Sequence, residues 1–343
     1  MTLACRFPDF PDFPNEPTMT EPLLQVEHLT VTYETRQGPV RAVDDVSFTV
    51  YRGEVLGLVG ESGCGKSTLG MALLRMVRPP GRITSGRMVF QGRDLIQLSE
   101  SEMRKLRGRH ISMVFQDPMT SLNPLQRIGD HIVETIRTHE PQVSKKEAWD
   151  RAAQLIERLG ISPDRLRDYP HQLSGGMRQR IMIGIGLALN ADLIIADEPT
   201  TSLDVIVEAQ FLDLLRELRD EFNLTMILIT HNIGVVAELA DRVAVMYAGR
   251  MAEIGPVHDV FHRTLHPYTR GLLASVPSIR LEDGLELETL AGAPPSLLSP
   301  PPGCRFHPRC PQAKPICAQR VPAWQEIHPG HGTACWLYAE EEA

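Results

Sequence analysis

Residues Gly60–Thr68 read Gly-Glu-Ser-Gly-Cys-Gly-Lys-Ser-Thr, and this stretch decides the fold. Two glycines separated by four residues and followed by Lys and Ser form the pattern of a loop that binds phosphate groups. Glycines let the backbone approach a phosphate closely and point successive N–H groups at it. Lys66 would reach the terminal phosphates and the Ser67 hydroxyl would ligate Mg²⁺. The residues predicted to surround the phosphates are Gly60, Glu61, Ser62, Gly63, Cys64, Gly65, Lys66, Ser67 and Thr68.

The residues on either side of this loop fit a strand–loop–helix unit. Glu54–Val59 is an apolar run of strand length, and Leu69–Leu74 can continue a helix. The N-terminus of that helix would add a favourable dipole for an anion. A glycine-rich turn can precede a helix without binding anything, but so complete a match in this setting favours phosphate binding.

Length and charge narrow the class of protein. A chain of 343 residues predicts one large domain with an appendage. Asp and Glu number 43 against 35 Lys and Arg, which argues against nucleic acid as a partner. Residues 1–22, rich in Pro, Asp and Phe, predict a disordered tail without a signal peptide. The longest apolar run, Ile181–Ala196, is interrupted before it reaches the roughly 20 residues of a membrane-spanning helix.

A second apolar run ends in two carboxylates. Asp192–Glu198 has the pattern of a buried strand, with Asp197 and Glu198 at its end. Asp197 is placed to hold Mg²⁺, and Glu198 could orient and deprotonate an attacking water. Acidic residues at strand ends are common, so the pair gains its meaning from the phosphate loop that precedes it.

Three further residues are expected near these carboxylates. Gln116 follows the apolar strand beginning at Ile111, and its carbonyl could bind a metal ion. His231 follows the strand Leu224–Thr230 and could contact a γ-phosphate. Tyr33, at the end of the first predicted strand, could stack on a nucleobase. Each is an ordinary structural residue when taken alone, and the functional interpretation depends on their convergence.

A second anion site is predicted at Ser174-Gly175-Gly176, ahead of an apolar helix. Exposed N–H groups, a hydroxyl and the positive end of the helix dipole favour an anion there. One chain seldom needs two triphosphate sites of different design. The second site therefore suits a protein that closes over ATP held by another copy. Between the two sites, residues 125–170 show helical periodicity and predict a helical insertion.

Taken in order, these motifs resemble the nucleotide-binding subunits of ABC transporters over roughly residues 24–255. The resemblance implies an α/β fold: a RecA-like P-loop NTPase core, an antiparallel β subdomain and a helical subdomain at about residues 119–180, all within an ATPase domain at 23–255. Two subunits would pair head to tail, with Ser174–Gln179 of one facing the ATP on Lys66 of the other.

The resemblance also implies a role for each matching residue. Glu198 and His231 would be catalytic, and Ser67, Gln116 and Asp197 would hold Mg²⁺. Outside the phosphate loop, the residues expected to bind ATP are Tyr33, Gln116, Ser174, Gly175, Gly176, Gln179 and Asp204.

A narrower resemblance, carried by Ala196–Val205, His266–Arg270 and Gly303–Cys310, links the chain to the ATPases of dipeptide and oligopeptide importers, including nickel and glutathione relatives. It implies a peripheral subunit at the cytoplasmic face of the membrane. This subunit would energise a membrane permease that receives its substrate from a solute-binding protein. Met177 resembles the residue found in the branch of the family that pairs with a second, distinct ATPase subunit. A homodimer is the alternative. Relatives acting on nucleic acid or ribosomes usually carry two cassettes, whereas each motif occurs once here.

The extension at residues 256–343 contains a four-cysteine cluster: Cys304, Cys310, Cys317 and Cys335. Four thiolates suit either tetrahedral zinc or an iron–sulfur cluster, and the absence of Cys-x2-Cys pairs weakens the case for zinc. The resemblance to the peptide-importer tail points to a [4Fe–4S] cluster, with Zn²⁺ as the alternative. Possible substitute ligands are His307, His328 and His331.

A second histidine group has helical spacing. His258, His262 and His266 are four residues apart, which would permit a metal-binding face. Pro267 interrupts that face and no acidic residue supports it, so we expect these histidines to serve packing or surface roles.

Overall fold

A computed structural model of the chain describes residues 21–116, 121–201, 203–275 and 290–339. The predicted disordered tail at residues 1–22 lies outside these ranges except for its last two residues, and Pro22 already begins the first strand. The strands are β1 (Pro22–Thr35), β2 (Gly38–Tyr51), β3 (Val55–Val59), β4 (Gly81–Phe90), β5 (Arg93–Asp94), β6 (Ile111–Val114), β7 (Leu193–Asp197), β8 (Met226–Ile229), β9 (Arg242–Tyr247), β10 (Arg250–Pro256), β11 (Gln325–His328) and β12 (His331–Thr333). The α-helices are α1 (Lys66–Leu73), α2 (Glu100–Leu106), α3 (Ile128–His139), α4 (Lys145–Arg158), α5 (Gly175–Leu187), α6 (Val205–Phe222), α7 (Ile233–Leu239), α8 (Val257–His262) and α9 (Pro267–Ala274).

The larger of the two sheets in the described residues positions the predicted site. Its strand order is β11-β12-β10-β9-β3-β8-β7-β6. The pairs from β9 through β6 are parallel, so their carboxyl ends meet at one edge. Ligands of open α/β sheets bind at that edge. The phosphate loop follows β3, Gln116 follows β6, Asp197 ends β7 and His231 follows β8.

The smaller sheet covers the phosphate-loop helix. Its strand order is β2-β1-β4-β5, and all its pairs are antiparallel. Buried side chains of β1 and β2, among them Leu24 and Val43, share one apolar cluster with Leu69 and Leu73 of α1. Helix α1 is therefore held between apolar side chains of both sheets. The resemblance predicted this antiparallel subdomain.

The predicted helical region contains α3 and α4, two amphipathic helices. Ile128, Ile132 and Ile136 of α3 are buried at helical spacing, and Ala152 and Ile156 of α4 lie in the same core cluster. Helix α4 is also stabilised locally, because the Ser144 hydroxyl accepts a hydrogen bond from the Glu147 N–H and so caps the start of the helix. Helix α5, which carries the second predicted anion site, follows this region.

The C-terminal lobe, residues 290–339, is joined to the ATPase core by strand pairing. Strand β12 pairs with β10, with Glu253 opposite Thr333, and β11 pairs with β12. The sequence places a boundary at residue 255, but that residue lies inside β10 and the lobe extends the same sheet. Period-2 patterning could not reveal a three-residue strand such as β12, because so short a run carries no periodicity.

Candidate nucleotide-binding site

Glycine is required at two corners of the phosphate loop. Gly60 has φ +150° and Gly65 has φ +110°, and side chains of L-residues rarely adopt such angles. A Cβ added at Gly60 would lie 2.1 Å from the Met246 carbonyl oxygen, and one at Gly65 would lie 2.1 Å from the Ala42 carbonyl oxygen. The loop therefore passes against β9 and β2 with no room for a side chain, which fixes its path.

Lys66 begins α1 and its ammonium points back into the loop. Nζ donates to the carbonyl oxygens of Gly60 at 2.7 Å and Glu61 at 3.2 Å, and it lies 3.9 Å from the Cys64 sulfur. The side chain is buried, so these carbonyls stabilise a charge that would otherwise be desolvated. Burial also raises the pKa of the Cys64 thiol. The loop thus presents a positive group beside the N-terminus of α1.

Two oxygen atoms suited to a hard cation meet beside the loop. The Ser67 hydroxyl donates to Oδ1 of Asp197 at 3.0 Å. Burial raises the pKa of Asp197, and the hydrogen bond from Ser67 opposes that effect. A hydroxyl next to a carboxylate fits the oxygen ligands that Mg²⁺ prefers. Ser67 and Asp197 are therefore chemically suitable for Mg²⁺, which would neutralise phosphate charge when bound.

Glu198 gathers the other predicted residues around one oxygen atom. Its Oε2 accepts hydrogen bonds from Gln116 Nε2 at 3.0 Å and Thr201 Oγ1 at 2.8 Å, and His231 Nδ1 lies 3.3 Å away. Gln116, Glu198 and His231 come from the ends of three different strands. The structure thus brings together residues that the sequence placed at one edge. Thr201 was not predicted, although it follows Glu198 by the three residues of a tight turn.

Three of the other predicted ATP-binding residues, Tyr33, Ser174 and Asp204, lie away from the phosphate loop in the chain. Tyr33 is half-buried at the end of β1, and its ring packs beside Gly81, where an added Cβ would lie 2.6 Å from it. Ser174 is exposed and its hydroxyl accepts from the Met177 N–H at the start of α5. Asp204 caps α6 by accepting from the Val207 N–H at 3.0 Å. Each is close to a chain turn or a helix terminus, and within the described ranges none of the three side chains hydrogen-bonds to the phosphate loop.

Gln179, also predicted to bind ATP, is buried within α5. Its side chain has 0% exposure, and neither amide atom has a hydrogen-bond partner within the described chain. Gln179 lies five residues after the exposed Ser174, on the buried side of α5. Its contact with the nucleotide of a second subunit stays a prediction.

Two C-terminal residues reach the phosphate loop and were not predicted to do so. The Tyr268 hydroxyl accepts from the Glu61 N–H at 2.9 Å. Arg309 donates to both carboxylate oxygens of Glu61. Tyr268 lies in the His266–Arg270 motif and Arg309 precedes Cys310. The sequence showed these motifs, but no local pattern could indicate that they contact Glu61.

The four C-terminal thiols are close together but do not form a metal site as placed. Burial, followed by the neighbouring Cys317, Cys335 and Cys310, raises the pKa of Cys304 to about 11. Over residues 21–116, 121–201, 203–275 and 290–339, no group of three or more His, Cys, Asp or Glu side chains is arranged to hold a metal ion. The predicted [4Fe–4S] cluster and the zinc alternative are therefore not supported by this arrangement. The described cysteines are free thiols.

The three histidines at four-residue spacing do not share one helix. The rings of His258 and His262 lie 4.7 Å apart, whereas His266 is buried at the start of α9.

Within the part of the chain that the structure describes, no helix has the length and apolar character needed to cross a membrane.

One edge of the parallel sheet carries a phosphate loop, an acidic strand end, a glutamine and a histidine. Together these features define a nucleotide-binding cassette of the P-loop class. The family described as "ABC transporter" matches residues 43–201, and the family "Oligopeptide/dipeptide transporter, C-terminal region" matches residues 252–317. The chain belongs to the ATP-binding subunits of ABC transporters, in the oligopeptide/dipeptide branch. It is an ATPase of that family.

Similar proteins cover nearly the whole chain. The dipeptide transport ATP-binding protein DppD of Bacillus subtilis is 48% identical over 92% of this chain and 95% of its own length. The oligopeptide transport ATP-binding protein OppD of Salmonella typhimurium is 47% identical over 95% of this chain and 96% of its own. Both similarities run through the cassette and into the C-terminal lobe.

Among solved structures, the ATP-binding cassette MJ0796, a dimer in a post-hydrolysis state bound to ADP and Pi, aligns with a TM-score of 0.62 and 26% identity. The alignment covers 68% of this chain and 98% of that chain. CbiO1 of Clostridium perfringens, part of an ABC transporter complex, aligns with a TM-score of 0.60 and 28% identity over 71% of this chain and 91% of its own. These likenesses agree with the cassette fold.

Proposed function

We propose that this chain binds Mg-ATP, pairs with a second ATPase subunit and hydrolyses ATP to drive a membrane permease that imports dipeptides or oligopeptides. The observation that carries the proposal is the convergence of Gln116, Glu198 and His231 beside the Ser67–Asp197 pair. The names of the similar proteins, which describe dipeptide and oligopeptide transport, support the choice of substrate class.

Phosphate binding is assigned to the loop and α1. Backbone N–H groups of Gly60–Thr68 and the Lys66 ammonium would receive the phosphates, and the N-terminus of α1 adds a favourable dipole. Ser67, Gln116 and Asp197 would hold Mg²⁺, which neutralises charge on the phosphates. Tyr33, at the end of β1, would contact the adenine. These residues supply binding and orientation before any bond changes.

The chemical step is assigned to Glu198 and His231. The Glu198 carboxylate would accept a proton from water as the water oxygen bonds to the γ-phosphorus and the bond to the β–γ bridging oxygen breaks, releasing ADP and phosphate. His231, 3.3 Å from the same carboxylate oxygen, would contact the γ-phosphate and fix the position of the water. Gln116 Nε2 and Thr201 Oγ1 hold that oxygen in place.

The second subunit would complete the site from the opposite side. Ser174 is exposed at the N-terminus of α5, Gly175 and Gly176 are partly exposed, and a Cβ added at Gly175 would meet nothing within 4 Å. This open backbone can approach the phosphates held by another subunit, as expected for an anion site. The dimeric state of MJ0796 gives a precedent for such pairing. We favour a heterodimer, on the resemblance of Met177 to one branch, over a homodimer.

Association with a permease would place the chain at the cytoplasmic face of the membrane as a peripheral subunit. The test is transport by the complete complex: permease, both ATPase subunits and solute-binding protein in vesicles, with peptide uptake and ATP hydrolysis measured together. Hydrolysis stimulated by peptide-loaded binding protein is the expected result. Stimulation by nickel or glutathione instead would reassign the substrate, and stimulation by nucleic acid or ribosomes without a permease would contradict the transport role.

A metal centre at Cys304, Cys310, Cys317 and Cys335 is a separate proposal. It is supported by the closeness of the four thiols, and it requires them to rearrange, since their present arrangement does not coordinate a metal. Burial raises the pKa of Cys335 to about 11, so metal binding would have to displace protons from the thiols. Anaerobic purification followed by iron, sulfide and zinc analysis is the test. One zinc in a colourless protein would contradict the [4Fe–4S] cluster, and neither metal would contradict both.

A further inference from the structure

The C-terminal region holds Glu61 of the phosphate loop at two points. The Glu61 N–H donates to the Tyr268 hydroxyl at 2.9 Å. Its carboxylate receives two parallel hydrogen bonds from Arg309, Nη1 to Oε2 at 2.8 Å and Nη2 to Oε1 at 3.0 Å. Bidentate arginine–carboxylate pairs are strong and directional. We call Tyr268 and Arg309 the Glu61 clamp.

Both clamp residues are themselves fixed by packing. The Arg309 side chain is only 6% exposed. Its Nε donates to the Ala291 carbonyl at 2.9 Å, and its guanidinium lies over the ring of Tyr247 with 5.8 Å to the centroid. Tyr268 is fully buried, and its ring packs against Tyr247 with centroids 4.5 Å apart. Side chains so restricted can hold Glu61 in one geometry rather than follow its motion.

Glu61 is a sensitive point at which to hold the loop. Its carbonyl oxygen is one of the two that accept hydrogen bonds from Lys66 Nζ. A shift of the Glu61 peptide would therefore move the acceptor of the lysine that is assigned to the phosphates. The Glu61 side chain also carries a negative charge, and it lies in a loop that would bind the negatively charged phosphates of ATP. Arg309 neutralises that charge at contact distance, in a partly buried place where screening by water is weak.

We propose that Arg309 and Tyr268 are positioning residues for nucleotide binding: they fix the Glu61 peptide and cancel its carboxylate charge. The inference rests on the proposed nucleotide site at the phosphate loop. It assigns the C-terminal lobe a role inside the ATP site of its own subunit. Neither clamp residue touches the reacting atoms, so their loss acts on binding of ATP more than on the chemical step.

The central experiment measures KM, kcat and the Kd for Mg-ATP on the full-length chain. Arg309→Ala is expected to raise KM and Kd about tenfold while kcat changes less than about twofold, because one unpaired carboxylate then faces the phosphates. Glu61→Gln introduced into Arg309→Ala removes that charge and is expected to recover most of the lost affinity. Tyr268→Phe keeps the ring packing, removes only the acceptor of the Glu61 N–H, and is expected to raise KM about threefold.

Two arginines of the same lobe serve as matched controls. Arg320 stacks on the Trp336 ring within the lobe, so Arg320→Ala is expected to leave KM unchanged. Arg305 contacts Asp44 of β2 and the carbonyl of Ala248 in the turn after β9, so it anchors the lobe there without touching Glu61. If Arg305→Met raised KM as much as Arg309→Ala, and Glu61→Gln rescued neither, the effect would come from lobe docking and the proposal would be overturned.

A failure of the proposed nucleotide site can be told apart from a failure of the clamp. If Lys66→Ala abolishes ATP binding while Arg309→Ala binds as tightly as the wild type, the loop is the site and the clamp proposal is wrong. If Lys66→Ala binds ATP normally, the nucleotide site itself is wrong, and the clamp proposal falls with it. A thermal melt of each variant shows whether a folded chain was assayed.

Discussion

At the scale of single residues, the backbone of Glu198 is the least ordinary feature of the site. Its φ is +48°, in the left-handed region that a non-glycine residue seldom occupies, at a cost of roughly 1 kcal/mol or more. The surrounding contacts hold it there: its N–H donates to the Ile229 carbonyl at 2.8 Å, and its carboxylate receives Gln116 and Thr201. This turn aims the carboxylate across the strand ends.

We expect Glu198→Gln to bind Mg-ATP with nearly wild-type affinity and to hydrolyse it at least ~100-fold more slowly, the low end for losing a general base. The amide keeps the size and most hydrogen bonds of the side chain but cannot take a proton from water. Single-turnover hydrolysis and equilibrium ATP binding give the two quantities. Glu217→Gln, on the exposed face of α6, is the matched control. Near-normal turnover by Glu198→Gln would refute the proposed role.

The glycines of the phosphate loop allow a second comparison. Gly65 has φ +110° and no room for a Cβ, whereas Gly63 has φ +78° and nothing within 4 Å. Gly65→Ala should therefore lose at least about 3 kcal/mol of stability from strain and collision, and Gly63→Ala about 1 kcal/mol from strain alone. Denaturant unfolding of both variants measures the difference. Equal losses would show that the contact of the loop with Ala42 is not restrictive.

At the scale of elements, helix α9 depends on a buried neutral histidine. His266 Nδ1 accepts from the Tyr268 N–H at 3.0 Å, which caps the helix. The ring packs against Phe306 of the C-terminal lobe with centroids 5.8 Å apart. Burial lowers the pKa of His266 to about 4. Protonation would remove the acceptor and place a charge in the apolar contact, so the cap works only when the ring is neutral.

The direction of the resulting pH dependence follows from this lowered pKa. The unfolded chain, with an ordinary histidine pKa near 6.5, binds more protons than the folded chain between that pH and about 4. The contribution of His266 to stability is thus complete above pH 6.5 and is lost as the pH falls through this window. Between pH 7.5 and pH 5.5 the loss is roughly 1 kcal/mol.

His266→Asn supplies the matched measurement. Asparagine can accept the same capping hydrogen bond and does not titrate. The difference in unfolding free energy between wild type and variant should therefore shrink by roughly 1 kcal/mol from pH 7.5 to pH 5.5. A difference that stays constant over this range would contradict a lowered pKa of His266 in the folded chain. Other titrating groups are common to both proteins and cancel in the comparison.

At the scale of the whole molecule, local sequence patterns predicted the cassette but did not predict the contacts between distant parts of the chain. The strands predicted at Glu54–Val59 and Asp192–Glu198 lie within one residue of the observed bounds of β3 and β7, because apolar patterning is a local signal. The site residues on neighbouring strand ends followed from parallel topology. The contact of Arg309 with Glu61 joins residues 248 positions apart, and β12 is too short to show periodicity. Such contacts arise only when the chain is packed.

The surface predicted to close on a second subunit carries exposed apolar side chains. Val205 and Ile206, at the start of α6, are 81% and 73% exposed. They lie next to the second anion site, because a Cβ added at Gly176 would meet Val207 at 2.5 Å. Apolar side chains exposed beside an open helix N-terminus favour burial against another subunit.

We therefore expect Ile206→Asp to weaken ATP-induced pairing of the Glu198→Gln variant with a second ATPase subunit at least about tenfold, since a carboxylate would have to be desolvated in the interface. An acidic residue in the first turn is favourable to the helix dipole, so α6 itself should remain folded. Light scattering with and without Mg-ATP gives the dimer fraction, and ATP binding to the monomer should be unchanged. Leu125→Asp is the matched control, because Leu125 is 86% exposed in the predicted helical region, away from α6 in sequence. Dimerisation of Ile206→Asp at the parent level, or an equal loss with Leu125→Asp, would place the subunit contact on another face.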